Sequence, residues 1–291
     1  MIAAPRRSFS VAIPGRAPLV LGPRTLVMGV INVTPDSFSD GGKTFDPAHA
    51  LDVALAMEAA GADLIDLGAE STRPGARPVA AADELARALP VLRALAPRIK
   101  APISIDTYKA AVAGAALDEG ASLVNDISGF EYDAALGPLV ASRGVPAVLM
   151  HTRGKPEDMY AHADYADVVG EVVADLQRSV TRAQDYGVMR KQLIVDPGLG
   201  FAKRAPQSMA ALVGLDRLAE LGLPILIGPS RKSFLGAATG PMQPEDRDWA
   251  TAAAVTAAVL GGAHIVRVHA VEKMIHVVRV ADALRLATGA S

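Results

Sequence analysis

Eight short runs of β-branched and apolar residues recur along the chain, and their number and spacing limit the fold more than any other feature. They occupy residues 26–33 (LVMGVINV), 64–70 (LIDLGAE), 102–107 (PISIDT), 122–128 (SLVNDIS), 147–151 (AVLMH), 193–198 (LIVDPG), 224–230 (PILIGPS) and 265–269 (IVRVH). Runs this continuous suit parallel strands covered on both faces, because a strand with one wet face alternates apolar and polar residues. Each interval is long enough for the crossover helix that a parallel pair requires. Asp46-Pro47 offers an N-cap and a first-turn proline to the first of these helices. Six intervals close on a glycine followed by a small or apolar residue, at Gly61, Gly120, Gly144, Gly187, Gly222 and Gly262, the pattern of a left-handed helix exit. Eight alternating units predict an α/β fold, a single-domain TIM-type (β/α)₈ barrel over residues 26–291, in preference to an open Rossmann-like sheet. Residues 1–25 form an N-terminal extension. Within it, 8–13 and 19–21 flank Pro14-Gly15 and read as a short β-hairpin closing the barrel floor.

Composition narrows the class by exclusion. The chain has no cysteine, which removes disulfide frameworks, thiolate metal sites and a cysteine nucleophile. Lys+Arg number 29 against 31 Asp+Glu, so bulk charge points to no nucleic acid and no membrane surface as partner. The longest apolar stretch, 250–262, is alanine-rich and shorter than the roughly 20 residues a bilayer span takes. The first residues carry Arg6 and Arg7 but no apolar core run, so no secretory signal is read there and a cytoplasmic protein is expected.

In a barrel of this kind, chemistry sits on the C-terminal ends of the strands. Those ends carry Asn32, Asp66, Glu70, Asp106, Asn125, Asp126, His151, Asp196, Ser230-Arg231-Lys232, Arg267 and His269. A lone Asp closing a strand more often caps a helix or starts a turn. Eight such ends on one rim make a site. Strand period places Arg267 and His269 on one face. The loop 32–45 (NVTPDSFSDGGKTF) reads as a lid whose oxygen ligands suit Mg²⁺, and 70–78 (ESTRPGARP) offers Arg73 and Arg77 as phosphate clamps. GLGFAK (198–203) lacks the third glycine of a dinucleotide fingerprint, and GPSRKS (228–233) lacks the glycine before the lysine of a P-loop. No histidine pair has HExxH spacing, so zinc is not expected; His49, His162, His264 and His276 read as surface or packing residues.

Taken in order, MGVINVTPDSFSDGG (28–42), GADLIDLGAESTRPGA (61–76), ISIDT (103–107), LVNDISG (123–129), LMH (149–151), DPGLGF (196–201), SRKS (230–233) and GGAHIVRVH (261–269) closely resemble the dihydropteroate synthase family of pterin-binding barrels. The resemblance runs from about residue 26 to 270. It implies a transferase that joins 6-hydroxymethyl-7,8-dihydropterin pyrophosphate to p-aminobenzoate, releasing 7,8-dihydropteroate and pyrophosphate. By the same resemblance Asp196 grips the aminopyrimidine edge of the pterin, Asn125 and Asp106 bind the rest of it, and Met150 packs near the ring. Asp106 would also stabilise positive charge as pyrophosphate leaves, and Lys232 would lie between the two substrates. Asn32, Arg73, Arg267 and His269 match the anion pocket; Lys232, Asp106, Arg267 and His269 are the implied catalytic set. Thr72, Pro74, Phe201 and Ser233 match p-aminobenzoate contacts. Asn32 and Asp36 match a magnesium site, and a homodimer is implied, with the last two helices as a contact face. Three positions depart from the expected pattern: Ala202 replaces a glycine, Pro229 precedes SRKS, and RDWAT (247–251) lacks a Gly-Thr pair. Two rival functions share the pterin readers. A methyltetrahydrofolate–corrinoid methyltransferase has little use for the anion pocket, the STRPG loop or SRKS, and a non-catalytic pterin-binding paralogue should have lost the anion pocket or Lys232.

Overall fold

The computed structural model describes residues 3–34 and 46–288. A two-stranded antiparallel sheet, β1 (Phe9–Val11) and β2 (Leu19–Leu21), pairs Phe9 with Leu21 and Val11 with Leu19. Eight parallel strands follow: β3 (Leu26–Asn32), β4 (Leu64–Gly68), β5 (Ile103–Asp106), β6 (Leu123–Asp126), β7 (Ala147–Met150), β8 (Leu193–Asp196), β9 (Leu226–Ile227) and β10 (Ile265–Val268). They lie side by side in the order β8-β7-β6-β5-β4-β3-β10-β9, and a parallel bridge between Val195 and Ile225 joins the two ends of that row. The sheet is thereby a barrel. β9 is shorter than the run that announces it, because Gly228-Pro229 follows and proline has no N–H to give a ladder.

The crossovers are α1 (Pro47–Ala60), α2 (Ala81–Leu95), α3 (Ala110–Asp118), α4 (Leu136–Arg143), α5 (Val168–Asp185), α6 (Ala205–Val213) with α7 (Leu215–Ala219), α8 (Ser233–Thr239) with α9 (Asp248–Leu260), and α10 (Val271–Ala287). Asp46 caps α1 by accepting the Ala48 N–H at 2.9 Å, with Pro47 in the first turn as expected. All six interval-closing glycines have φ between +63° and +107°. Each turns the chain out of a helix and into the next strand.

Two apolar shells follow from strand period. One lies between the strands and the helices, and includes Val27, Ile65, Val124, Val195 and Val266 against Val91, Val112, Leu176 and Val255. The other fills the lumen at the floor, where Leu26, Met28, Leu64, Leu123, Val148, Ile194, Leu226 and Ile265 meet Val11, Ile13, Leu19 and Leu21 of the hairpin. The hairpin plugs the N-terminal end of the barrel. Arg6 ties the preceding segment down by hydrogen bonds to Thr25 Oγ1 at 2.6 Å and the Ala263 carbonyl at 2.9 Å, and pairs with Asp282 of α10.

The same lumen columns change character within one strand step. Leu64, Leu123, Ile194 and Ile265 line the floor, and two residues on stand Asp66, Asn125, Asp196 and Arg267. Since i and i+2 share a face of a strand, each apolar floor residue carries a polar partner directly above it. Asp106 sits likewise two residues beyond buried Ser104 on β5. The dry floor makes the polar layer above it rigid and poorly solvated.

Candidate active site

Arg267 on β10 is the hub of that layer. Its Nε donates to Asp66 Oδ2 on β4 at 2.6 Å and its Nη2 to Asp106 Oδ2 on β5 at 2.7 Å, reaching past the intervening β3. Asn125 Nδ2 donates to the same Asp66 oxygen at 3.1 Å. Asp66 is wholly buried, and its Oδ1 has no hydrogen-bond partner among the described residues. Burial pushes the Asp106 carboxyl up to about 7, while the charge of Arg267 pulls the other way and Asp66 adds to the rise. Gly68 stands beside Asp106 in register, and a Cβ there would lie 3.2 Å from Asn32 Oδ1 and 3.7 Å from Asp106 Oδ2. Glycine therefore keeps a cleft open between the ends of β3 and β5.

Asp196 ends β8 on the other side of the mouth. Its Oδ1 accepts the Gly198 N–H at 2.7 Å, the first bond of the turn 197–202. Burial raises its carboxyl above the usual range, and the Lys232 charge and this N–H lower it. Lys232 donates to the Leu199 carbonyl at 2.5 Å and holds Nζ 4.7 Å from the centre of the Phe201 ring. Burial brings the Lys232 ammonium down to about 8, against the pull of Asp196. Met150 is buried at the end of β7 beside this turn. Asn125, Asp106, Asp196, Lys232, Arg267, Met150 and Phe201 thus share one mouth.

His269 is held apart from the hub. Its Nδ1 meets Ser230 Oγ at 2.9 Å and its backbone N–H donates to the same hydroxyl at 3.2 Å. Burial, then Arg267, Arg231 and Arg73, push its imidazolium down to about 3, so it is a neutral ring at physiological pH. Arg73 and Pro74 are exposed on the loop after β4, where with Thr34, Ser71, Arg77 and Arg87 they line a hollow of about 410 Å³. Thr72 is half-buried in that loop, and Gly75 N–H crosses to the Pro156 carbonyl at 2.7 Å, fastening it to the loop after β7. Ser233, exposed, is the first residue of α8. Asn32 closes β3; Asp36 and the lid segment with it lie outside the described residues.

Two of the acids at strand ends take the turn-forming role. Asp126, wholly buried, accepts from the Ser128 N–H at 2.9 Å and the Phe130 N–H at 2.5 Å, and shapes the turn after β6. Glu70 accepts the Val79 N–H at 3.0 Å and the Tyr108 hydroxyl at 2.9 Å and pairs with Lys109, bracing the base of the loop that carries Arg73. The sequence departures find their places too. Ala202 adopts φ +46° and is wholly buried, the left-handed conformation for which glycine was expected. Arg247, Asp248 and Thr251 of RDWAT hold Arg231, itself at φ +60°: Arg247 Nη1 donates to the Arg231 carbonyl at 2.9 Å, Asp248 accepts Arg231 Nε at 3.0 Å, and Thr251 Oγ1 accepts the Arg231 N–H at 3.1 Å. The sequence marks Asp66 as a strand-end acid but gives no sign that it pairs with Arg267, and Lys203 behind the Asp196 turn carries no local pattern that marks it.

A second hollow of about 810 Å³ lies between the loops after β6 and β7 and α5, lined among others by Tyr132, His151, Arg153 and Arg182. The converging charges described above are at the barrel mouth, and that is where the reactive layer is.

A model of the family described as pterin binding enzyme matches residues 28–269. The dihydropteroate synthase of Synechocystis sp. is 47% identical over 263 residues, covering 90% of this chain and 91% of that one. Among solved structures, Xanthomonas albilineans dihydropteroate synthase with 4-aminobenzoic acid superposes with TM-score 0.89 at 40% identity, over 96% of this chain and 99% of its own. Burkholderia cenocepacia dihydropteroate synthase complexed with 7,8-dihydropteroate gives TM-score 0.85 at 40% identity, covering 100% of both chains. With nearly its whole length matched and its polar layer assembled at the mouth, the chain belongs to the pterin binding enzyme family, among its dihydropteroate synthases.

Proposed function

We propose that the chain condenses 6-hydroxymethyl-7,8-dihydropterin pyrophosphate with p-aminobenzoate. The bond between the exocyclic methylene carbon and the pyrophosphate oxygen breaks, the arylamine nitrogen bonds to that carbon and loses a proton, and 7,8-dihydropteroate and pyrophosphate leave. The observation that carries this reading is the juxtaposition, above an apolar floor, of three carboxylates and two cations at one mouth: Asp66 and Asp106 paired with Arg267 on one side, and Asp196 on the other side on the turn whose Leu199 carbonyl holds Lys232.

Each group has a task suited to its chemistry. Asp196, at a strand end, offers carboxylate oxygens to the N–H donors of an aminopyrimidine edge, where a charge-assisted bond is worth about 1.5–3 kcal/mol. Asn125 both donates and accepts, as the remaining pterin edge demands. Asp106, held 2.7 Å from Arg267, places negative charge where the pterin becomes cation-like. Arg267 and Arg73 supply cations for the leaving pyrophosphate, and neutral His269 supplies a hydrogen bond instead of a charge. Lys232, beside Phe201, separates the pterin region from the p-aminobenzoate region formed by Thr72, Pro74, Phe201 and Ser233. Catalysis is then positioning and electrostatic stabilisation at preformed charges.

Among the described residues no group of three or more His, Asp or Glu is placed to hold a metal ion. Magnesium carried by a pyrophosphate keeps most of its waters and asks one or two oxygens of the protein, and Asn32 Oδ1, beside the cleft at Gly68, is of that kind. When bound there, the ion would offset charge on the departing pyrophosphate, with Asn32, and Asp36 from the segment outside the described residues, as its protein oxygens. The reading includes a homodimer: Trp249 on α9 and Val280, Leu284 and Leu286 on α10 are large apolar side chains left exposed on two helices packed together. It also includes a cytoplasmic location; no described helix is long and apolar enough to cross a membrane.

The test is product identification. Purified protein incubated with both substrates and Mg²⁺ should yield a species with the mass of 7,8-dihydropteroate. Recovery of only the two starting compounds, with the pterin substrate demonstrably bound, would refute the reading.

A further inference from the structure

We propose that Lys203 is a positioning residue that fixes the turn 197–202 from behind, and through it the p-aminobenzoate platform at Phe201; the proposal rests on the reading of the mouth given above. Lys203 is 1% exposed, among the largest fully buried side chains of the protein. Among the described residues no carboxylate lies within ion-pair distance of it. Its Nζ instead has three neighbours at hydrogen-bond distance: His151 Nδ1 at 2.7 Å, the Phe201 carbonyl at 3.0 Å and the Gly198 carbonyl at 3.2 Å. An ammonium has three N–H donors and no acceptor, and here it meets three acceptors.

The histidine end of the network selects that arrangement. His151 Nε2 lies 3.0 Å from Asp175 Oδ2 on α5, and Arg153 Nε donates to the same oxygen at 3.1 Å. A carboxylate accepts only, so Nε2 carries the proton and Nδ1 presents its lone pair to Lys203. With Nδ1 an acceptor, Lys203 is the donor in that contact. Burial pushes the Lys203 ammonium down, with Asp196 acting in its favour, and pushes the His151 imidazolium down to about 4. A neutral His151 is what the network requires.

The consequence falls on the turn. Gly198 gives its N–H to Asp196 and its carbonyl to Lys203. Leu199 gives its carbonyl to Lys232 from the mouth side. Phe201 gives its carbonyl to Lys203 and lays its ring under Lys232. The turn is a sheet of peptide groups clamped between two lysines, one buried behind it and one in front. Ala202 holds φ +46° at the end of the turn, a strained conformation for a non-glycine residue, so the bond to the Phe201 carbonyl beside it opposes relaxation. The space is tight as well, since a Cβ at Gly198 would meet the His151 carbonyl oxygen at 2.0 Å.

The experiment has one arm that needs no variant. In the wild-type protein, ¹⁵N-histidine NMR should show His151 with Nε2 protonated and Nδ1 unprotonated; a protonated Nδ1 overturns the proposal. In the second arm, Lys203→Met keeps most of the buried volume and removes the three donors. We expect its KM for p-aminobenzoate to rise about tenfold or more, with KM for the pterin substrate and kcat each within about threefold. Asp175→Asn, on a half-buried helix position, should move the same KM in the same direction by a smaller factor. Unchanged KM values, or losses shared equally by both substrates, overturn the proposal. A wild-type protein without synthase activity would defeat the functional reading alone, because p-aminobenzoate binding measured directly in wild type and Lys203→Met still tests the brace.

Discussion

Arg267, Asp66, Asp106 and Asn125 stand on strands whose neighbours are bonded on both sides, whereas Arg73, Pro74 and Ser233 stand exposed on loops and a helix start. In the proposed reaction the two sets act together. On the strand side the protein has already met the cost of desolvating charges, and Arg267 offsets it with two carboxylates at 2.6 and 2.7 Å. On the loop side the cation of Arg73 remains solvated and free to adjust. The difference teaches a division of labour: strand ends hold charge where it cannot relax and loops hold it where it can adjust, which under the proposed reaction assigns transition-state stabilisation to the former and affinity for arriving and leaving groups to the latter.

Removing the hub should break the comparison most severely. Arg267→Met leaves two buried carboxyl groups without their cation, and we expect turnover to vanish and stability to fall by about 3–5 kcal/mol near neutral pH. Asp106 already sits at about 7 when folded, above its unfolded value, and losing Arg267 raises it further. A folded value above the unfolded one means stability present at low pH and lost as pH rises through the folded value. The deficit measured by denaturant titration should therefore be largest above about pH 7 and shrink on acidification. Next in size, Lys232→Ala should lower kcat by about a hundredfold or more while costing less stability than Arg267→Met, since Lys232 makes one hydrogen bond, to the Leu199 carbonyl, and no ion pair among the described residues. Near-normal initial rates in that variant would remove it from the chemistry.

The pH profile sharpens the comparison without a mutation. Asp106 must be a carboxylate and Lys232 an ammonium, so kcat/KM for the pterin substrate should fall about tenfold per unit below about 7 and again above about 8. Asp106→Asn should abolish the acid limb. On the loop side Arg73→Ala should raise KM for the pterin substrate by only about three- to tenfold, with little change in kcat, and the effect should weaken as salt is added. The smallest effect is expected at Ala202→Gly. Relief of about 1–2 kcal/mol of backbone strain is offset by the flexibility of glycine, about 0.5–1 kcal/mol, and the loss of one buried methyl, about 0.8 kcal/mol. The melting temperature should barely move.

These two regions also differ in how far the sequence discloses them. The strands were readable because a parallel strand covered on both faces writes an unbroken apolar run, and the helix exits because only glycine takes positive φ freely; the hairpin at Phe9–Val11 and Leu19–Leu21 followed from its Pro-Gly turn. β9 is less legible in extent: the apolar run PILIGPS reads as one strand, and only the Gly228-Pro229 within it marks where the ladder stops, after Ile227. The charged residues at strand ends were legible as a group, yet a single acid could not be sorted by pattern. Asp126 looks like Asp106 on paper, and only the bonds to Ser128 and Phe130 assign it to a turn. Contacts that join distant parts of the chain leave no local mark. Arg267 meets Asp66 across 201 positions, and Lys203 reads as an ordinary surface lysine after GLGFA although it is wholly buried against His151.

The most direct measurement follows dihydropteroate and pyrophosphate together in one reaction, with wild-type protein and Asp196→Asn side by side, in the presence of Mg²⁺. We predict that the wild type forms both products in equal amounts, and that Asp196→Asn, with its thermal transition preserved, forms neither at a comparable rate and binds the pterin substrate more weakly. Equal rates for the two proteins, or a wild type that binds the pterin and releases no pyrophosphate, would contradict the assignment of the barrel mouth.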